Sequence, residues 1–225
     1  MIRLKNVSKR FTKNTEATLK NVDLYIKEGE MVSIMGPSGS GKSTLLNIIG
    51  LIDAPTEGSY HLENIDTSTV KSKYHKYRNQ KVGFIFQHFS LLDDYTVLEN
   101  VMLPLVYRGI PHKKRVQVSE EMLEKVGLKA HAKKYPSQLS GGEQQRTAIA
   151  RVLAQNPSII LADEPTGALD QKNGEKIMGI LKEINNQGKT LLVVTHDQNV
   201  ANSCDRTIHL LDGKISSTCF STTLK

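Results

Sequence analysis

The stretch Gly36, Pro37, Ser38, Gly39, Ser40, Gly41, Lys42, Ser43 and Thr44 has the residue types and spacing of a phosphate loop, G-x-x-x-x-G-K-[ST]. Its glycines let backbone N–H groups close around an anion, and a following helix N-terminus adds its dipole. In that pattern Lys42 is placed for the β- and γ-phosphates of a nucleotide and the Ser43 hydroxyl for Mg²⁺. Hydrolysis of a triphosphate also needs a carboxylate for the metal and a group that orients water. The run Ile159 to Ala162 followed by Asp163 and Glu164 supplies both. Asp163 would hold Mg²⁺, directly or through water, and Glu164 would act as base or water-polariser. An acidic pair at a strand end is ordinarily a solvated cap, but the loop in the same chain favours the catalytic reading.

A second stretch of interest is Leu139, Ser140, Gly141, Gly142, Glu143, Gln144, Gln145, Arg146. Ser140 with Glu143 three residues on is a capping box at a helix start. A helix N-terminus with two glycines is also a phosphate site. One chain with one phosphate loop has no use for two such sites on one nucleotide, whereas a head-to-tail dimer does.

These residues need a scaffold. The first thirty residues read as antiparallel strands, Ile2 and Leu4 alternating with charge and Val22, Leu24 and Ile26 doing so again after a polar loop, Thr12 to Glu16. Met31 to Met35 reads as a buried strand entering the glycine loop, and Lys42 to Ile52 as a helix. Short strands are expected around Ser59 to Leu62 and over Lys81 to Phe86. From Thr96 to Val126 apolar residues recur at helical spacing, with a break at Gly109-Ile110-Pro111. Ser140 to about Gln155 reads as a helix, Ser158 to Ala162 as a strand, Asn173 to Gln187 as a helix and Thr190 to Thr195 as a buried parallel strand. Arg206 to Leu211 and Lys214 to Ser216 form a closing hairpin around Asp212-Gly213. The expectation is an α/β core with a mainly parallel sheet, an N-terminal antiparallel β lobe and an inserted α-helical lobe. Open parallel sheets gather ligands at the carboxyl edge of their strands, where both the loop and Asp163-Glu164 fall.

The chain has 225 residues, 24% charged and 38% hydrophobic, the mix of a globular protein rather than a disordered or disulfide-built one. No apolar stretch approaches the ~18 residues of a membrane span, and no secretory signal is visible at the start, so a cytoplasmic protein is expected. A formal charge of +7 suits polyanions without choosing among them. The basic clusters His112 to Arg115 and Lys129 to Lys134 lack aromatic interleaving and read as solvated faces. Cys204 and Cys219 read as reduced structural thiols rather than a metal site.

With LSGGEQQR between the two phosphate-type motifs, the sequence resembles the ATP-binding subunits of ABC transporters, whose signature it matches. The other landmarks follow in order: Phe11 at the aromatic position that stacks on adenine, Gln87 at the Q-loop, Asp163-Glu164 at Walker B, Ala168, Leu169 and Asp170 in the D-loop, and His196 at the switch histidine. Phe11 stands where tyrosine is commoner, and stacking needs only the ring face. The resemblance spans essentially the whole chain. It implies one ATPase domain over 1–225, in which 1–87 and 158–225 form a RecA-like core with the β lobe and about 88–157 the helical lobe and its return.

What the resemblance implies is a mechanism. Two protomers, expected to be identical, clamp two ATP molecules, each between the Walker loop of one chain and the signature of the other, with Ser43, Gln87 and Asp163 on Mg²⁺. Glu164 and His196 help water attack the γ-phosphate. Closure drives a separate transmembrane permease through the helical lobe and the Gln87 region. That places the chain on the cytoplasmic face of the membrane, with an accessory adaptor protein as a further partner and no nucleic acid. The segments Ile85 to Leu92 and Thr96 to Leu105 resemble the branch that holds MacB, LolD and FtsE. Ala168, where lipoprotein-release and cell-division relatives tend to carry Asn, points to export of antimicrobial peptides or antibiotics, of the MacB or bacitracin-export type. Two other readings stay open: a mechanotransmission or signalling ATPase, and a soluble ABC ATPase acting on DNA or ribosomes.

Overall fold

The structure, a computed structural model, describes residues 1–12 and 16–220; the middle of the polar loop expected over Thr12 to Glu16 lies outside the described residues. The chain runs through β1 (Ile2–Lys9), β2 (Leu19–Ile26), β3 (Met31–Met35), α1 (Lys42–Ile49), β4 (Glu57–Leu62), β5 (Ile65–Asp66), α2 (Tyr74–Lys81) and β6 (Val82–Phe86). It continues through α3 (Val97–Tyr107), α4 (His112–Lys125), α5 (Gly141–Gln155), β7 (Ile159–Asp163) and α6 (Gln171–Asn186). The last elements are β8 (Thr190–Val194), α7 (Gln198–Asn202), β9 (Arg206–Leu211) and β10 (Lys214–Phe220). Two compact units are present, Met1–Arg78 with Asn185–Lys225, and Asn79–Ile184.

In the first unit, β2-β1-β4-β5 form an antiparallel sheet. Ile2 and Leu4 of β1, with Val22, Leu24 and Ile26 of β2, turn to its buried face at the two-residue period of a strand. The same unit holds β3 between β8 and β9, parallel to both, and β10 antiparallel on the far side of β9. Every residue of β8 is buried and four of the five in β3 are, which is why β8 reads as an apolar run and β3 as one broken only by Ser33. Ile34 stands opposite Val194. The segments that follow β3 and β8 therefore leave the same edge of the sheet.

In the second unit β6 and β7 run parallel, with Phe86 opposite Asp163. Gln87 and Glu164 thus leave a common strand edge as well. The long helix α5 packs against α3, α4 and β6, burying Ala148, Ile149 and Val152. Thr96 and Glu99 close a capping box at the start of α3, and the chain turns between α3 and α4 at Gly109-Ile110-Pro111, as its sequence predicts.

The fold class is the one expected: α/β, with mainly parallel pairing beside the antiparallel β lobe. Several details differ from the sequence reading: the short elements β5 and α7 were not expected, and β10 runs on to Phe220. The region before β6 carries a 3-10 turn, Thr67–Lys73, and helix α2, where no element was expected. Residues 74–81 bury no side chain and have no apolar period to reveal a helix. Helix α6 begins at Gln171 rather than Asn173, because Asp170 accepts the Asn173 N–H at 2.9 Å and so caps the helix early.

Candidate functional site

The loop from Gly36 to Gly41 links β3 to α1. Gly36 has to be glycine: a Cβ there would come within 2.1 Å of the Leu210 carbonyl oxygen, so the loop starts pressed onto β9. At its end Gly41 turns through φ +103° and α1 begins with no side-chain cap. The first N–H of the helix to be bonded inside it is that of Leu45, to the Gly41 carbonyl at 2.9 Å. The amides of its first turn are therefore unblocked by any side-chain cap and open to an anion. Lys42 Nζ donates to the carbonyls of Gly36 (2.7 Å) and Pro37 (2.9 Å), which holds its charge over the loop. Pro37, Ser38, Gly39 and Ser43 are exposed, Thr44 is half-buried and Ser40 is buried.

His196 lies in the same unit, exposed just beyond β8. Thr195 N donates to the Ile34 carbonyl (3.2 Å), and Asp197 caps α7 by accepting the Asn199 N–H at 2.7 Å. The structure thus puts His196 and the glycine loop on one edge, after adjacent parallel strands. Phe11 follows β1 with its ring 62% exposed. Lys9 Nζ lies 5.2 Å from that ring's centre and is itself fixed by Asp53 at 2.6 Å, so one face of the ring is covered by a held cation.

In the second unit, Glu164 follows β7 with φ +47°, a left-handed conformation that costs roughly 1–3 kcal/mol away from glycine. Phe89 and Ser90, just past Gln87, are left-handed too, at φ +58° and +49°. Helix α5 holds these turns through side chains. Gln145, fully buried, donates Nε2 to the Pro165 carbonyl at 2.6 Å and to that of Phe86 at 3.4 Å. Arg151 donates to the carbonyls of Ser90 (2.7 Å) and Phe89 (3.0 Å), and its burial lowers the guanidinium's affinity for its proton. Gln155 donates to the Val82 carbonyl at 2.6 Å, fixing the start of β6. Gln87 itself is half-buried with its amide nitrogen against Gly167.

The signature segment starts α5. Ser140 is exposed; its N–H and hydroxyl both donate to Glu143 Oε2 at 2.8 Å, and its oxygen accepts the Glu143 N–H at 3.4 Å. These bonds, with His131 and Lys134 nearby, hold the Glu143 carboxyl below the usual glutamate range. Gln144 donates back to the Pro136 and Leu139 carbonyls, at 3.1 and 3.2 Å, and so fixes the approach to Ser140. Gly141 lies against Leu169 and the Ala168 carbonyl of the D-loop. Asp170 accepts the N–H and side-chain amide of Asn173, which lowers its pKa. Asn173 in turn fills the space over Gly142, where a Cβ would come within 2.9 Å of its Oδ1. Signature and D-loop are thus packed together in this unit, with Asn173 between them.

The sequence reading placed Gln145 in the signature stretch without giving it a role, and did not find Arg151, Asn173 or His131. Asp170 with Asn173 three residues on is a capping spacing that would have drawn attention to Asn173. The other three act on partners distant in sequence, for which no local pattern exists.

Three relatives set this site among known proteins. A profile of the ABC transporter family matches residues 19–167. The chain is 55% identical over 223 residues to an uncharacterized ABC transporter ATP-binding protein of Methanocaldococcus jannaschii, MJ0796, covering 96% of this chain and 95% of that one. A dimeric structure of the MJ0796 cassette in a post-hydrolysis state, bound to ADP and Pi, matches with a TM-score of 0.90 at 50% identity, over 100% of both chains. The macrolide export ATP-binding/permease protein MacB of Vibrio parahaemolyticus is 45% identical across 96% of this chain, which spans 33% of MacB's length. The lipoprotein-releasing system ATP-binding protein LolD of Bacteroides fragilis is 44% identical, across 96% of this chain and 100% of LolD.

Proposed function

The chain belongs to the ABC transporter family as an ATP-binding subunit of the MacB and LolD type, and from that premise we propose that it is an ATP-driven clamp powering a transmembrane permease that exports antimicrobial peptides or antibiotics. ATP hydrolysis and dimerisation come with the family. They are supported by the likeness to the dimeric MJ0796 cassette bound to ADP and Pi. The observation that carries the clamp is the N-terminus of α5: an exposed Ser140 on a glycine-flanked helix start, in a chain that already has a complete phosphate loop.

In this reading the α1 amides and Lys42 hold the phosphates of ATP, and Phe11 stacks on the adenine. Ser140 and Gly142 of a second copy meet the γ-phosphate. Ser43, Gln87 and Asp163 offer hydroxyl, amide and carboxylate oxygens, the hard donors that suit Mg²⁺. Bound there, the ion would offset charge on the phosphate oxygens. Glu164 takes the proton of the attacking water as its oxygen bonds to the γ-phosphorus and the bond to ADP breaks, while His196 contributes a hydrogen bond to that phosphate. No helix among the described residues is long and apolar enough to cross a membrane. Association with the cytoplasmic face through the permease is the placement that fits.

Ala168 favours the export side of the branch; the near-equal identities to MacB and LolD leave lipoprotein-release-type mechanotransmission as the second reading. Purification from native membranes in mild detergent tests both. A co-purifying permease whose vesicles accumulate an antimicrobial peptide or macrolide supports export. ATP turnover that only remodels an external protein supports mechanotransmission. Nucleic acid or ribosomes in place of a membrane partner would overturn the transporter reading.

A further inference from the structure

The N-terminus of α5 has two claimants. Glu143 Oε2 already takes the N–H and hydroxyl of Ser140, the groups an incoming phosphate would use. An ionised carboxylate also sets a negative charge beside that phosphate, and like charges at such range oppose each other. The offsetting charge comes from outside the helix. His131, in the 3-10 turn Lys129–His131, places Nε2 3.3 Å from Glu143 Oε1, with the two side chains 25% and 24% exposed. Its Nδ1 is buried without a hydrogen-bond partner, so Nε2 is the ring nitrogen that meets a charged group. The segment after His131 is fixed in place: Leu98 N donates to the Ala132 carbonyl (2.9 Å) and Val97 N to that of Lys134 (2.8 Å), tying it to the first turn of α3.

We propose that His131 is a positioning residue for the signature: 3.3 Å from the far oxygen of Glu143, it steadies that carboxylate and, when protonated, offsets its charge, freeing Ser140 and the α5 N-terminus to turn from their internal cap to the phosphate of a second copy. The proposal rests on the trans-acting role of Ser140 given above. It assigns a task to a residue outside every motif of the chain. The charged groups on the surrounding elements are Glu143 on α5, Lys129, Lys133 and Lys134 in the same segment, Glu124 on α4 and Glu99 on α3. Glu124 is paired with Lys129 at 3.1 Å and Glu99 is held by Thr96. Glu143 is the acid that His131 meets.

The test uses the full chain carrying Glu164→Gln, with the ATP-dependent dimer dissociation constant measured by sedimentation from pH 6 to 8. His131→Ala is expected to weaken the dimer on the order of threefold, the scale of a partly exposed ion pair. His131→Gln, which keeps a donor without the charge, should weaken it less than His131→Ala. His131→Lys, which keeps a positive charge, should hold the dimer near the parent. In a Glu143→Gln background, His131→Ala should have no further effect. An unchanged constant for both His131→Ala and His131→Gln would overturn the proposal, as would an equal weakening with or without Glu143, since that marks a merely structural histidine. Ser140→Arg separates the two levels. If it leaves the dimer intact, the trans-acting reading itself fails; if it abolishes the dimer while the His131 variants match the parent, only the role of His131 fails.

Discussion

The glycine loop and the signature segment both present a helix N-terminus to a phosphate, yet they are built in opposite ways. The bonds that place the loop's charge and start its helix are short-range: Lys42 bonds to carbonyls five and six residues back, and Leu45 N to Gly41, while the loop's distant contacts, Gly36 against Leu210 and Gly213 N to the Ser40 carbonyl, run through backbone. Its chemistry lies in the backbone. The signature helix is the far end of a lattice of side chains that reach across the sequence. Gln145 bonds to a carbonyl 59 residues away, Arg151 to carbonyls 61 and 62 away and Gln155 to one 73 away. Through these bonds α5 holds the left-handed turns at Phe89, Ser90 and Glu164. A change at the Lys42 side chain should therefore act on binding and chemistry alone, whereas a change along α5 should also cost stability.

The sharpest way to break this contrast is Lys42→Ala. ATP hydrolysis should fall roughly 10²–10³-fold, as when one charge-stabilising donor is lost, while the melting temperature stays close to that of the parent. A melt lowered by many degrees would show the loop to be structural after all. Glu164→Gln should cost roughly 10²–10⁴-fold in turnover, the usual worth of a general base, with ATP binding retained in a filter or fluorescence assay. On the other side, Gln145→Ala leaves the Pro165 carbonyl without its donor and should destabilise the protein by roughly 1–3 kcal/mol in urea titration, with a partial loss of turnover. Equal stability would remove α5 as the holder of the Glu164 turn.

The smallest effect is a pH effect. Hydrogen bonds from Ser140 depress the Glu143 pKa in the folded chain, so their contribution to stability is present above the ordinary glutamate value of about 4.5 and is lost as pH falls through the lower folded value. Glu143→Gln should lower stability slightly at neutral pH, where that contribution is present, flatten the acid limb in that window and leave stability below it unchanged.

The same contrast explains what the sequence disclosed. Strands β3, β7 and β8 are legible because burial on both faces leaves them mainly apolar runs, β3 broken only by Ser33. The loop is legible because glycine spacing is a backbone requirement, and the start of α5 because Ser140 and Glu143 form their capping box within four residues. Helix α2 was hidden, since it buries nothing. His131 and Arg151 were hidden for a different reason: each is defined by the group it meets, Glu143 in one case and the Phe89 and Ser90 carbonyls in the other. Asn173 lies between these cases, with a local bond to Asp170 that spacing could reveal and a distant contact with Gly142 that it could not.

The claim that joins the two regions is that they complete each other in a second copy of the chain. Sedimentation of the Glu164→Gln protein with and without ATP, beside the same protein carrying Ser140→Arg, tests it most directly. The account predicts an ATP-dependent dimer that Ser140→Arg abolishes while the monomer still binds ATP. A dimer that survives Ser140→Arg, with ATP bound as before, would contradict it.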